Sequence, residues 1–172
     1  MPITRLNHAV LYVRDVARSV TFYTEVLGFR RVDMSPEGFA GAAFLQAAGS
    51  DNDHDLGLFE IGTSAGASRA GSGTVGLYHL AWEVDTLEEL EAVHARLRSA
   101  DALVGSSDHS TSKSLYGKDP DGIEFEVAWF VPHDRIDPAT REGRRRVQPL
   151  DLAKEKERYG ATTLSASSQL SS

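Results

Sequence analysis

Residues 6–13 (LNHAVLYV) carry closely spaced apolar side chains and read as a strand. Asp15 follows as a helix cap, and Val16, Ser19, Val20, Phe22, Tyr23, Val26 and Leu27 recur at helical spacing, with Gly28 closing the stripe. Strands are expected over residues 29–32, 39–47 and 56–61, with a connection through Gly38 and a turn over 49–53. Residues 62–76 repeat Gly, Ser and Ala without periodicity and read as an exposed connector.

Residues 77–84 then repeat the opening strand. Thr86 and Glu89 have capping-box spacing, and Leu87, Leu90, Val93 and Leu97 form a second helical stripe. His8 and His79 are 71 positions apart, and so are Asp15 and Thr86, Val16 and Leu87, Phe22 and Val93, and Val26 and Leu97. A constant offset across strand, cap and stripe marks a structural repeat. The second half continues with an edge over 102–105, a loop from Ser106, a strand over 114–116 and a last strand over 123–130.

Each half thus reads as strand, helix and three strands, an α+β pattern. Neither half has enough elements to cover its own apolar faces, so pairing of two curved sheets is expected. The pairing can form within one chain or by exchange with a second subunit. The organisation is one domain over residues 1–132, with modules 5–61 and 77–131 joined by linker 62–76, followed by a C-terminal extension over 133–172. In the extension, Arg141, Arg144, Arg145 and Arg146 form a basic run and residues 150–159 read as a short helix. It is expected to pack over the sheet or against another subunit. Residues 161–172, rich in Ser, Ala and Thr, read as a disordered end.

Candidate chemistry gathers near the last strand. Asp119-Pro120-Asp121-Gly122 supplies a turn; beyond it Ile123, Phe125 and Val127 share one face and Glu124 and Glu126 the other. A carboxylate directed into a cleft needs a partner, and His8 and His79, at equivalent places in the repeat, are the first candidates. Lys113 is expected to face solvent, and Glu60 and Glu124 to be rim acids. His94 and His133 are expected to be structural or exposed.

The formal net charge of −7 argues against a mainly electrostatic nucleic-acid binder. No cysteine is present, which removes disulfides, thiolate ligands and cysteine nucleophiles. No stretch approaches the ~20 apolar residues needed to span a bilayer, and the N-terminus shows no positively charged segment followed by an apolar run and cleavage site, so a cytoplasmic location is expected.

His8, His79 and Glu126, with Asp119-Pro120-Asp121-Gly122 ahead of the acid, resemble the pattern of the vicinal oxygen chelate superfamily, which includes glyoxalases, fosfomycin-resistance proteins and type I extradiol dioxygenases. The likeness spans roughly residues 6–130. The segments His54-Asp55-Leu56-Gly57-Leu58 and Asp108-His109 through Tyr116 resemble the catechol-cleaving dioxygenases in particular. The resemblance implies paired beta-alpha-beta-beta-beta modules around a metal cleft, with His8, His79 and Glu126 as ligands. Two imidazoles and one carboxylate suit Fe(II), with Mn(II) able to use the same donors and other divalent metals fitting non-oxidative chemistry. It further implies His54 as acid-base residue, His109 and Tyr116 as orienting donors, and a small catecholic aromatic and dioxygen as substrates, in a chain able to form a homo-oligomer. The alternatives are a glyoxalase-like isomerase or lyase, for which Glu60 would be the decisive carboxylate, and a non-catalytic aromatic-ligand-binding resistance protein.

Overall fold

The computed structural model describes residues 2–34, 38–71 and 73–168. The chain divides into two compact units: residues through Arg69 together with Asp119–Gly122, and Ala70–Lys118 together with residues from Ile123 onward.

In the first unit the order is β1 (Ala9–Val13), α1 (Val16–Glu25), β2 (Arg30–Val32), β3 (Ala42–Gln46) and β4 (Leu56–Glu60). The Asp15 carboxylate accepts the Arg18 N–H and starts α1, and Gly28, at φ +79°, takes the left-handed conformation that lets the chain leave it. The strands lie in the order β1-β4-β3-β2, with β1 parallel to β4 and the other pairs antiparallel. Leu11, Val13, Leu45, Leu56 and Leu58 are buried, as are Ser19, Tyr23 and Val26 from the helix segment. By strand alternation the opposite sheet face carries Val10, Tyr12 and Phe59, all exposed.

The turn Asp119–Gly122 belongs to this unit. Asp121 accepts the Arg14 backbone N–H at 2.9 Å and pairs through Oδ1 with the guanidinium groups of Arg14 and Arg18, each at 2.8 Å. Tyr23 donates its hydroxyl to Asp119 at 3.2 Å.

The second unit repeats the order: β5 (Leu80–Glu83), α2 (Leu87–Ser99), β6 (Leu103–Asp108), β7 (Ser112–Lys118) and β8 (Glu124–Phe130). Its strands lie in the order β5-β8-β7-β6, again with the first pair parallel. The α+β class and the doubled strand-helix-three-strand order are as the sequence pattern predicts. Leu87, Leu90, Val93 and Leu97, the expected stripe of α2, are all buried.

Three expectations are corrected here. The chain does not leave the sheet at Ser106: Ser106, Ser107 and Asp108 pair with Leu115, Ser114 and Lys113, because the polar run is held by backbone ladder bonds rather than by apolar faces. Lys113 does not face solvent. It shares a face of β7 with the fully buried Leu115, and its ammonium, itself fully buried, meets Asp108 at 2.5 Å and Glu155 at 2.9 Å. Glu155 lies on α4 (Leu152–Tyr159), the helix expected over 150–159, which follows α3 (Pro138–Gly143).

The third correction concerns the chain end. Residues 161–168 are ordered against the second sheet: Ser165 N–H donates to Asp85 O at 2.7 Å, Ala166 N–H to Phe130 O at 3.1 Å, and the fully buried Trp129 donates its indole N–H to Thr163 O at 3.0 Å. Small Ser and Ala side chains let this backbone approach closely, and Ser165 hydroxyl also bonds Glu83. The last four residues, 169–172, lie outside the described residues, as do residues 35–37 of the expected connection and Ser72 of the linker.

Candidate metal centre

His8 immediately precedes β1 and His79 precedes β5, the repeat-related strands. In β1, Val10 pairs with Gly57 of β4; in β5, Ala81 pairs with Glu126 of β8. Val10 and Ala81 are the same repeat position, so Gly57 stands in the first sheet where Glu126 stands in the second. A Cβ at Gly57 would meet Val10, Phe44 and Phe59 at 3.4–3.6 Å, an apolar surround.

Glu60 pairs with Val13, and Val13 is buried on the helix-covered face, which puts Glu60 on the face opposite His8 and Val10. Its carboxylate accepts the Val16 N–H at 3.1 Å, at the first turn of α1. This is a helix-end role.

Within the first unit His8 and His54 come together, their ring centroids 4.5 Å apart, with Phe44 edge-on to His54 at 5.0 Å. His8 Nδ1 lies 2.8 Å from Asn7 Oδ1. A donor Nδ1–H there leaves the Nε2 lone pair for a metal, the usual arrangement for a ligating imidazole. The loop carrying His54 is organised by buried Asp55, which accepts the Ala47 N–H at 2.8 Å, the Ser50 hydroxyl at 2.8 Å and the Asn52 amide at 2.7 Å. His54 Nδ1 is buried without a hydrogen-bond partner. Burial, then the positive charge of His8, lowers the His54 pKa from its usual value, against weaker pulls upward from Asp53 and Asp55.

Within the second unit His79 Nε2 lies 3.2 Å from Glu126 Oε2. Tyr116 pairs directly across from Glu126 on the same face, its ring 6.0 Å from that of His79. His109 Nε2 is 2.8 Å from the Tyr116 hydroxyl. Burial, followed by the Glu126 charge, raises the Tyr116 pKa, so the phenol keeps its proton at neutral pH. Four of the residues singled out in the sequence therefore meet in this unit.

Among the described residues no group of three or more His, Cys, Asp or Glu side chains is placed to hold a metal. The donor chemistry of His79 and Glu126, an imidazole nitrogen and a carboxylate oxygen brought face to face, fits one divalent ion between them. Asn7 and Gly57 escaped the sequence reading. Asn7 could have been found from its place beside His8, but Gly57 needed the strand register.

The glyoxalase/bleomycin resistance protein/dioxygenase superfamily model matches residues 5–127, and the chain belongs to that superfamily. It is 34% identical over 124 residues to catechol-2,3-dioxygenase of Bacillus subtilis, a match covering 72% of this chain and 41% of the relative. The chain thus spans well under half of that dioxygenase. It is 29% identical over 126 residues to lactoylglutathione lyase of Escherichia coli O157:H7, covering 72% of this chain and 90% of the lyase. A solved glyoxylase/bleomycin resistance protein/dioxygenase domain from Frankia sp. EAN1pec shares the fold, with a TM-score of 0.63 at 23% identity, covering 77% of this chain and 96% of that one. Among the described residues no helix is long and apolar enough to cross a membrane.

Proposed function

We propose that the protein is a metal-dependent extradiol ring-cleavage dioxygenase acting on a small catecholic aromatic, with His8, His79 and Glu126 as the ligands and Fe(II), or Mn(II), as the metal. The observation that carries this reading is Gly57: the repeat position of Glu126 has no side chain, and Glu60 is on the other face capping α1. The residues supply three donors rather than four, and a three-donor sphere leaves positions for both catechol oxygens and for dioxygen.

When bound, the metal would supply the electrophilic and redox chemistry that joins substrate and dioxygen. The chain's own residues handle protons and orientation. His54, neutral at neutral pH and set against Phe44, is suited to accept a catechol hydroxyl proton at a ring nitrogen and return it later. Tyr116, protonated and hydrogen-bonded to His109, is a fixed donor for a substrate or reduced oxygen atom.

A second reading, glutathione-hemithioacetal isomerisation, draws support from the lyase relatives, whose length this chain nearly covers. The test is anaerobic loading with Fe(II) and exposure of a catechol panel to air. A yellow ring-opened product with matching oxygen uptake is expected. Oxygen-independent lyase turnover with nickel or zinc, and no uptake with any catechol, would overturn the proposal.

A further inference from the structure

His109 sits at the tip of the β6–β7 hairpin, on a turn closed by His109 N–H to Ser112 O at 3.0 Å and Thr111 N–H to His109 O at 2.8 Å, in which Ser110 holds φ +69°, a conformation unfavourable for a residue with a Cβ. Asp108 fixes the turn from within. One of its oxygens accepts both the Ser110 N–H at 2.6 Å and the Lys113 ammonium at 2.5 Å.

Val131 N–H donates to Thr111 O at 3.0 Å, and the C-terminal extension adds further bonds to the turn. Asp108 and Gln148 exchange both backbone hydrogen bonds, at 2.8 and 3.0 Å. Ser110 hydroxyl donates to Thr140 O at 2.8 Å, and Arg144 Nε donates to Thr111 Oγ1 at 3.0 Å. Lys113 carries the link inward: fully buried, it joins Asp108 to Glu155 of α4 and lies 5.7 Å from the centre of the Tyr159 ring. Burying an ammonium is costly, and two carboxylates with an aromatic face compensate it. A plain cover for the sheet would need only apolar contacts. Here residues 140–148 of the extension direct polar bonds at Asp108 and at the three-residue turn, His109–Thr111, that follows it.

We propose that the extension is a brace that positions His109 against the Tyr116 hydroxyl, with Lys113 as its buried positioning residue. This rests on the donor role given to His109 and Tyr116 above. The extension then sets the direction of the hydrogen-bonding pair rather than contributing a group to the reaction.

The test uses the full chain with ring-15N histidine, reading the His109 Nε2 shift at one pH, with Tyr116→Phe marking the broken bond. Two variants loosen the brace: Lys113→Met/Glu155→Leu, which replaces the ion pair with apolar side chains of similar size, and Arg144→Ala/Gln148→Pro, which removes two polar contacts at exposed positions. In each folded variant the shift is expected to move from the wild-type value towards the Tyr116→Phe value, and ring-cleavage kcat to fall by up to about 10²-fold with KM little changed. A wild-type shift in a folded variant overturns the proposal. Should the buried double variant lose its near-UV signal, the exposed one decides by the same reading. If the shift moves but wild-type protein cleaves no catechol, the brace stands and the proposed reaction falls.

Discussion

His79 Nε2, on the residue before β5, and Glu126 Oε2, on the neighbouring β8, lie 3.2 Å apart. The parallel register that pairs Ala81 with Glu126 sets this approach, and His79 lies on the same face two residues earlier. The strand register places Glu126, and His79 stands on the residue that leads directly into β5.

Replacing either donor, as His79→Ala or Glu126→Gln, is expected to abolish tight metal retention and turnover together. Metal titration followed by elemental analysis after desalting checks this. A His79→Ala protein that still retains one equivalent of metal would remove this residue from the ligand set.

His54→Gln is expected to keep its metal, because the residue is proposed as a proton carrier. The chemical step should slow by ~10²–10⁴-fold, the range for loss of a positioned acid-base group. Single-turnover kinetics with preloaded Fe(II) separates that step from binding; near-normal rates would reject the assignment.

Tyr116→Phe preserves the ring between His79 and His109 while removing the hydroxyl. The expected defect is smaller than for His54 and varies with the catechol. Ultraviolet titration of the metal-free protein should show this variant losing one of the two tyrosines, Tyr116 and Tyr23, that ionise above the ordinary range, as burial and the Glu126 charge require for Tyr116. A titration curve unchanged by the substitution would contradict that.

Asp121 gives the first unit an acid-sensitive joint. Burial alone would raise its pKa, but the Arg14 N–H and guanidinium and the Arg18 charge outweigh it and hold the carboxyl below its usual range. With the folded pKa below the unfolded one, the contribution is complete above the unfolded value and is lost as pH falls through the folded value. Asp121→Asn should therefore cost about 2 kcal/mol near neutral pH, with the gap to wild type closing below about pH 4. Urea melts at a series of pH values measure it; a gap independent of pH would show that the charge is immaterial.

The repeat made the fold legible, because identical spacing of strand, cap and stripe recurs in the two halves and each signal is local. The same spacing picked out His8 and His79, and the superfamily resemblance, carried by the turn ahead of β8, selected Glu126 over Glu124 on the same face. Lys113 was misread because the helix that buries it begins some forty residues later; alternation with Leu115 already placed both on one face. That a glycine stands in the first sheet where Glu126 stands in the second could not be read linearly either, since Gly57 and Glu126 correspond only through their strand partners.

The docking of Thr163, Ser165 and Ala166 onto the second sheet bears on where this protein can be cut. Trimming at the βαβββ repeat boundary would bare the indole of Trp129 and the ammonium of Lys113, both fully buried in the intact chain. A minimal version of the second half must therefore extend as far as the residues that cap that tryptophan.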